Sequence, residues 1–483
     1  MTRAIMLQGT GSDVGKTVLV AGLCRLARNR GIRVRPFKPQ NMSNNAAVAD
    51  DGGEIGRAQW LQAFACGVAP SVHMNPVLLK PQSENGSQIV VQGKIWGEAK
   101  GRDYQRIKPQ LLEAVLQSYG VLKKGADLII VEGAGSPAEI NLRAGDIANM
   151  GFATKVNAPV VLVGDIDRGG VIASLVGTHA ILPDEDRRMI CGFLINKFRG
   201  DVSLFDDGIA AVKARTGWRC FGVVPWLRAA LRLPPEDSVA LDYAQAQPTG
   251  RTKIAVLVLD RIANFDDFEP LRHEAGVQVA MVKAGMRIPQ DAALIIIPGS
   301  KSTISDLAAL RRNGWEEDIL RHHAAGRPLL GVCGGYQMLG NSVSDPSGIE
   351  GPAQTVKGLG LLDVDTVMEA GKAVRNVQAF SQAFSARIDG YEIHIGQTQG
   401  ADCARPFSTI GAKGDGAVSD NGLVMGTYLH GLFGNDGFRA NFLKKLGIGP
   451  SGGSYWSDVD AALDEIAAEL DALGIGAVLE AAR

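Results

Sequence analysis

A chain of 483 residues exceeds what one ordinary hydrophobic core can serve, so two or three domains are expected. Hydrophobic residues make up 46% and charged residues 21%, the balance of a soluble globular protein. Lys+Arg 50 against Asp+Glu 51 leaves a net charge of −1, which argues against a nucleic-acid surface or a polybasic membrane patch.

Cysteines 24, 66, 191, 220, 333 and 403 are widely spaced and form no CxxC pair. That pattern speaks against a zinc ribbon or disulfide scaffold and fits a reducing cytoplasm. The N-terminus, MTRAIMLQGTGS, reaches a glycine loop before a signal-peptide core can form, and no apolar run approaches the roughly 18 residues that span a bilayer. A cytoplasmic location is the expectation.

In chain order, RAIMLQG reads as a first strand and KTVLVAGLCRLARNRG as a helix with Val18, Leu19, Leu23 and Leu26 on its apolar side, ended by Gly31. Between them lies GTGSDVGKT (9–17), a glycine loop that follows a strand and opens a helix. Its glycines, Gly9, Gly11 and Gly15, let backbone N–H groups turn onto phosphate oxygens, with Thr10 in the same turn. Lys16 reaches the β- and γ-phosphates, and Thr17 can ligate Mg²⁺. The strict GxxxxGK[ST] pattern fails only at Thr10; a generic tight turn is the alternative.

The form GTxxxVGKT resembles the dethiobiotin synthetase-like branch of phosphate-loop proteins, in which a carboxylate attacks ATP. The resemblance extends to RPFKPQN (35–41) and implies that Lys38 stabilises the charge of a carboxyl phosphate. A solvated loop lysine is the alternative. Glu132, at the end of the buried run IIVEGAG, is costly as an unpaired acid; Mg²⁺ ligation opposite Thr17 would explain it, as would an ion pair. Asp51 in DDGGEIGRAQ is a second metal candidate. Asn196 in NKFRGD could read the adenine by the same resemblance, although a strand-end turn also accounts for it.

Further buried strands are expected in DLIIVEGAG (127–135), PVVLVGDID (159–167) and MICGFLINKF (189–198). Continuous apolar strands separated by helices imply a doubly wound, mainly parallel α/β sheet. Prolines and polar residues around 234–251 break the pattern, giving an ATP domain over 1–235 and a linker over 236–251. The alternation restarts with KIAVLVLD (253–260), ALIIIPGSKST (293–303), RPLLGVCGG (327–335) and GLVMGTYLHG (422–431). A second α/β domain therefore covers 252–445. The tail 446–483 carries an amphipathic helix with Leu463, Ile466, Leu470 and Leu473 on one stripe and Ser457 as its N-cap, packed on a domain surface.

Within GVCGGYQMLG, Cys333 sits where a strand meets a helix, flanked by Gly331, Gly334 and Gly335. This is the pattern of a nucleophile elbow, with the thiol projecting above the sheet and favoured as thiolate by the helix N-terminus. Backbone N–H groups of Gly334 and Gly299 could form an oxyanion hole. Of the seven histidines, His430 in GTYLHG ends an apolar run and is the natural base. A buried structural cysteine is the bland reading.

GVCGGYQMLG together with GTYLHG resembles the class I, triad-type glutamine amidotransferase domain, in which the thiol takes ammonia from glutamine through a glutamyl thioester. Most members carry Glu two residues after the histidine; here Leu432 stands there, which implies a dyad-like site. Glu392 could orient His430, or serve a core salt bridge or a substrate contact; His394 reads as a satisfied structural histidine.

The stretches PFKPQNMSNNAAVADDGGEIGRAQ (36–59), MNPVLLKPQSENGSQIVVQGK (74–94) and DIDRGGV (165–171) resemble the CobB/CobQ family of cobyric acid and cobyrinic acid diamide synthases over nearly the whole chain. That resemblance implies a glutamine- and ATP-dependent, Mg²⁺-requiring amide ligase. Its substrate would be adenosylcobyrinic acid a,c-diamide, amidated at the b, d, e and g carboxylates. Gln40, Asn41, Asn44, Asn45, Lys80 and Gln82 suit a rim for carboxylates and amides, or a solvated loop. The alternatives are an a,c-diamide synthase with the same machinery and a regulatory phosphate-loop ATPase with a degenerate amidase half. No nucleic-acid or membrane partner is implied.

Overall fold

The computed structural model describes residues 2–82, 86–236, 252–369 and 371–483. In the first half, strands Val34–Phe37, Leu128–Glu132, Arg3–Gly9, Val160–Asp165, Ile190–Phe198 and Arg219–Pro225 lie side by side in that order, all parallel. Successive side chains of a strand point to opposite faces, so both faces of this sheet are apolar and both are covered. Ile5 and Leu7 pack with Leu19, Leu23 and Leu61 from helices Lys16–Asn29 and Arg57–Cys66. Ala4 and Met6 face the other way, toward Leu111, Val115 and Leu175 from helices Gly101–Lys123 and Val171–Ile181.

The second half repeats the scheme with strands Val277–Val282, Thr252–Leu257, Leu294–Ile297, Leu329–Val332 and Val424–Thr427 in parallel, closed by a short antiparallel edge, Ala417–Val418. Every expected strand is present, and the α/β, mainly parallel architecture holds in both halves.

Among the described residues, five smaller, mainly antiparallel sheets escape the periodicity argument, because their strands are short, polar or half exposed. One is Gln40–Met42, Val77–Pro81, Gly86–Val91 and Lys94–Lys100, whose first pair alone is parallel. A second joins Ala373–Ser381 and Ala386–His394 with Leu429–His430. It carries the site histidine on its edge.

The halves meet at an apolar cluster of Ala46, Val48, Leu78 and Val90 from the first and Tyr391 and Ile393 from the second. An ion pair buried at both ends, Arg57 Nε to Asp266 Oδ2 at 2.7 Å, crosses the same interface.

Most of the expected linker, 237–251, lies outside the described residues, but Glu236 does not belong to a linker: its carboxylate hydrogen-bonds Thr17 and pairs with Lys38. The tail helix, Tyr455–Ala472, begins after Ser454 rather than Ser457. It docks on the first half. Leu463, Ile466 and Leu470 are fully buried against helix Lys16–Asn29, whereas Leu473, expected on the same stripe, is 40% exposed. Gly22 permits this contact, since a Cβ there would lie 2.6 Å from Ile466 Cγ2. Arg25 pairs with Asp460 and Asp464, and Arg30 with Asp471, along the same seam. Among the described residues no helix is long and apolar enough to cross a membrane.

Candidate functional site

Two sites stand at the carboxyl ends of the two parallel sheets, where open α/β sheets place their ligands. The first is the loop after strand Arg3–Gly9. Gly15 takes φ +88°, and a side chain there would strike the Asn196 amide, whose Nδ2 donates to Val14 O at 2.8 Å. Asn196 therefore braces the loop through one of its amide N–H groups. Lys16 Nζ curls back over the loop to Gly11 O at 3.3 Å and Gly135 O at 3.4 Å. Burial, with Lys38 alongside, holds its ammonium below the usual lysine range, although Glu132 and Glu236 favour the charge.

Thr17 Oγ1 donates to Glu132 Oε1 at 2.8 Å and is also bonded to Glu236. Lys38 Nζ joins both acids, at 2.8 Å to Glu132 and 2.6 Å to Glu236. Burial alone would discharge Lys38, but these two carboxylates outweigh it and hold its pKa well above the usual lysine range. Gln62 Nε2 donates to the second Glu132 oxygen at 2.6 Å. Two acids beside the loop threonine and two lysines beside the acids form a donor set that fits a phosphate chain with its divalent cation.

Glu132 forms the ion pair, with Lys38, that was one of its sequence readings, and it also lies opposite Thr17. Glu236 was missed because its proline-rich surroundings read as a linker. Asp51 does not join this cluster: it is exposed, and its carboxylate caps a turn through Ser71 Oγ at 2.5 Å and Val72 N at 3.0 Å. Much of the expected polar rim is also committed internally. Asn41 donates to Gln59, Asn44 to Pro81 O, Asn45 to Pro235 O and Lys80 to Glu54, while Gln40 accepts from Tyr104.

The second site is the turn after strand Leu329–Val332. Cys333 has φ 51° and ψ −110°, a backbone shape that L-residues rarely adopt and that the elbow imposes. Its neighbours must be glycine because the turn is pressed on the adjacent strand end: a Cβ on Gly335 would lie 2.0 Å from Ile297 O, and one on Gly334 3.0 Å from Ser300 N. The first N–H groups of helix Gly334–Leu339 have no intrahelical acceptor. Gly299 adjoins both reacting groups, its built Cβ falling 3.2 Å from His430 Cε1 and 3.8 Å from Cys333 Cβ.

His430 is buried, stacks on Tyr391 and directs Nδ1 to Asp267 Oδ2 at 2.6 Å. The other Asp267 oxygen accepts from Gly431 N at 2.8 Å. Burial opposes charge on the imidazole, but Asp267 and a hydrogen bond with the Cys333 thiol raise its pKa to about 10. The dyad expectation is corrected: a carboxylate does orient the histidine, and it comes from the turn Phe265–Phe268 instead of the position two residues on. Leu432 there is buried among apolar side chains. Glu392 is engaged with Arg375 Nε at 2.5 Å. His394 stacks on Tyr428 with ring centroids 3.8 Å apart, and burial lowers its pKa to about 4. Its Nδ1 is buried with no hydrogen-bond partner among the described residues, so it is not the satisfied histidine expected.

Asp267 lies far upstream of the histidine, in NFDDFEP. The only available signal was a pair of adjacent acids between two phenylalanines, both of which are buried, Asp266 on Arg57 and Asp267 on His430.

Residues 5–238 match the family described as the CobQ/CobB/MinD/ParA nucleotide binding domain, and residues 253–438 match the CobB/CobQ-like glutamine amidotransferase domain. Over 98% of both chains, the sequence is 68% identical to a protein named cobyric acid synthase from Allorhizobium ampelinum. A protein of the same name from Sinorhizobium fredii is 66% identical over 99% of both chains, and one from Brucella suis is 64% identical over 98% of both. The order of the two sites, the two matched domains and full-length similarity of this degree assign the chain to the cobyric acid synthase family of glutamine-hydrolysing, ATP-dependent ligases.

Proposed function

We propose that the chain amidates the b, d, e and g carboxylates of adenosylcobyrinic acid a,c-diamide, with ammonia made at Cys333 and the acid activated at the phosphate loop. The observation that carries this reading is the presence, in one chain, of a Cys333–His430–Asp267 arrangement and a two-lysine, two-acid phosphate site. Amide formation from a carboxylate needs both a leaving group and an unprotonated nitrogen. Ammonia is mostly ammonium at neutral pH, so releasing it inside the protein keeps it nucleophilic.

At the thiol site, His430 carries the proton in the resting pair and Asp267 keeps its Nδ1–H in place. Cys333 Sγ attacks the glutamine amide carbon while the N–H of Gly334, with the strand end at Gly299 beside it, receives the developing oxyanion. His430 gives its proton to the departing nitrogen, releasing ammonia and leaving a glutamyl thioester. It then takes a proton from water as that water attacks the thioester, and glutamate leaves.

At the loop, Lys16 and the backbone of Gly9 to Gly15, Thr10 and Gly11 included, would hold the β- and γ-phosphates, and Thr17, Glu132 and Glu236 would hold Mg²⁺. When bound, Mg-ATP supplies an electrophilic phosphoryl group to the corrinoid carboxylate. Lys38, already fixed between two acids, neutralises charge on the acid as it is activated. The test is positional isotope exchange in ATP labelled at the β–γ bridge, without an ammonia source. Scrambling that requires the corrinoid diamide supports acyl-phosphate formation; scrambling without any acid substrate, or none with it, contradicts that activation.

A further inference from the structure

The cavity that opens on Cys333 and His430 has an ionic wall formed by Lys80, Lys372, Lys301 and Glu350. Lys80 and Lys372 both pair with Glu54, so that trio closes on itself. Lys301 is different. It is 9% exposed and has no ion-pair partner among the described residues. With the Gln82 amide turned so that its nitrogen donates to Glu98, Lys301 Nζ has only a neutral acceptor, the Gln82 oxygen at 3.0 Å. Glu350 occupies the same wall, with Oε2 accepting from Ile304 N at 3.2 Å and no cation in contact.

A buried ammonium and a half-buried carboxyl thus share one small cavity without forming an ion pair. Each senses the other: burial lowers Lys301 to about 8 while Glu350 favours its charge, and burial raises Glu350 to about 7 while Lys301 opposes that rise. Such a pair is costly unless a ligand with charges of both signs bridges it. A free α-amino acid is that kind of ligand.

We infer that Lys301 binds the α-carboxylate and Glu350 the α-ammonium of the donor amino acid, fixing glutamine by its backbone end while its side-chain amide reaches Cys333. The assignment rests on the reading of Cys333 as the glutaminase nucleophile. It makes the pocket selective for a free amino acid over a peptide-linked glutamine or a simple primary amide.

The test compares Lys301→Met and Glu350→Gln with the parent protein on L-glutamine, on 4-aminobutanamide, which lacks the carboxylate, and on glutaramate, which lacks the ammonium. Loss of a charge-assisted hydrogen bond should raise KM for glutamine by roughly 10- to 100-fold in Lys301→Met, with a much smaller change in kcat. The same variant should treat 4-aminobutanamide as the parent does, and Glu350→Gln should show the mirror behaviour with glutaramate. Ammonium-driven synthesis serves as the folding control. Equal losses on glutamine and on the truncated donor, an unchanged KM, or loss of ammonium-driven synthesis as well would each overturn the assignment. Persistent glutamine hydrolysis in Cys333→Ala would instead overturn the nucleophile on which it rests.

Discussion

Replacing Asp267 with Asn keeps the shape of the side chain and removes its charge. In the structure the lost contact is a 2.6 Å hydrogen bond between groups whose side chains are 2% and 5% exposed, so solvent offers the imidazole little substitute. Asp267 and Cys333 lift His430 from 6.5 to about 10 against its burial. Each pKa unit is worth about 1.4 kcal/mol, so the imidazolium is favoured by on the order of 5 kcal/mol net of its burial. In serine triads the same carboxylate-to-amide change costs about 10⁴ in kcat. A thiol depends less on its base, so we expect glutamate release to fall about 10²- to 10³-fold.

Glutamate release and ammonium-driven amidation, measured side by side across pH, provide the assay. The parent protein should keep its protonated histidine up to about 10, whereas the variant should lose it near or below 6.5. A raised folded-state pKa gives stabilisation that is complete below 6.5 and withdrawn as pH climbs through about 10, and Asp267→Asn should abolish that window. Unchanged glutaminase activity with an unchanged pH profile in Asp267→Asn would refute the orienting role.

Cys333→Ala should end glutamine-driven amidation and leave ammonium-driven amidation intact, as measured by corrinoid mass. Lys16→Ala should lower amide synthesis on the order of 10³-fold while glutamate release persists, because the two chemistries use different pockets. Glu236→Gln should raise the Mg²⁺ concentration needed for half-maximal synthesis about 10- to 100-fold without altering the thiol site, as a metal titration would show. Gly22→Ala should destabilise the first half by about 1–3 kcal/mol in thermal unfolding, the clash with Ile466 and Leu470 outweighing the roughly 1 kcal/mol gain in helix propensity.

The parallel cores were legible because their strands are unbroken apolar runs such as LIIV and LIII, which no helix or exposed strand explains as well. The elbow was legible for a different reason: glycine at 331, 334 and 335 is demanded by backbone contacts that the sequence records directly. What failed to show were groups joined only by the tertiary fold. Asp267 meets His430 across 163 residues of chain. Glu236 carries no local mark of its contact with Thr17, and its prolines pointed elsewhere. Asp51 misled because adjacent acids suggest a cation, whereas here one acid caps a turn. The tail helix displayed its apolar stripe in the sequence, but nothing in that stripe says which half receives it.

The most direct measurement of the central claim uses glutamine labelled with ¹⁵N at the side-chain amide, together with Mg-ATP and adenosylcobyrinic acid a,c-diamide. Mass analysis should find one ¹⁵N in each new amide at the b, d, e and g positions, with one ATP consumed per amide and every label lost in Cys333→Ala. Unlabelled amides formed at the full rate, or ATP turnover indifferent to both glutamine and corrinoid, would contradict a thiol that frees nitrogen for an acid activated at the phosphate loop.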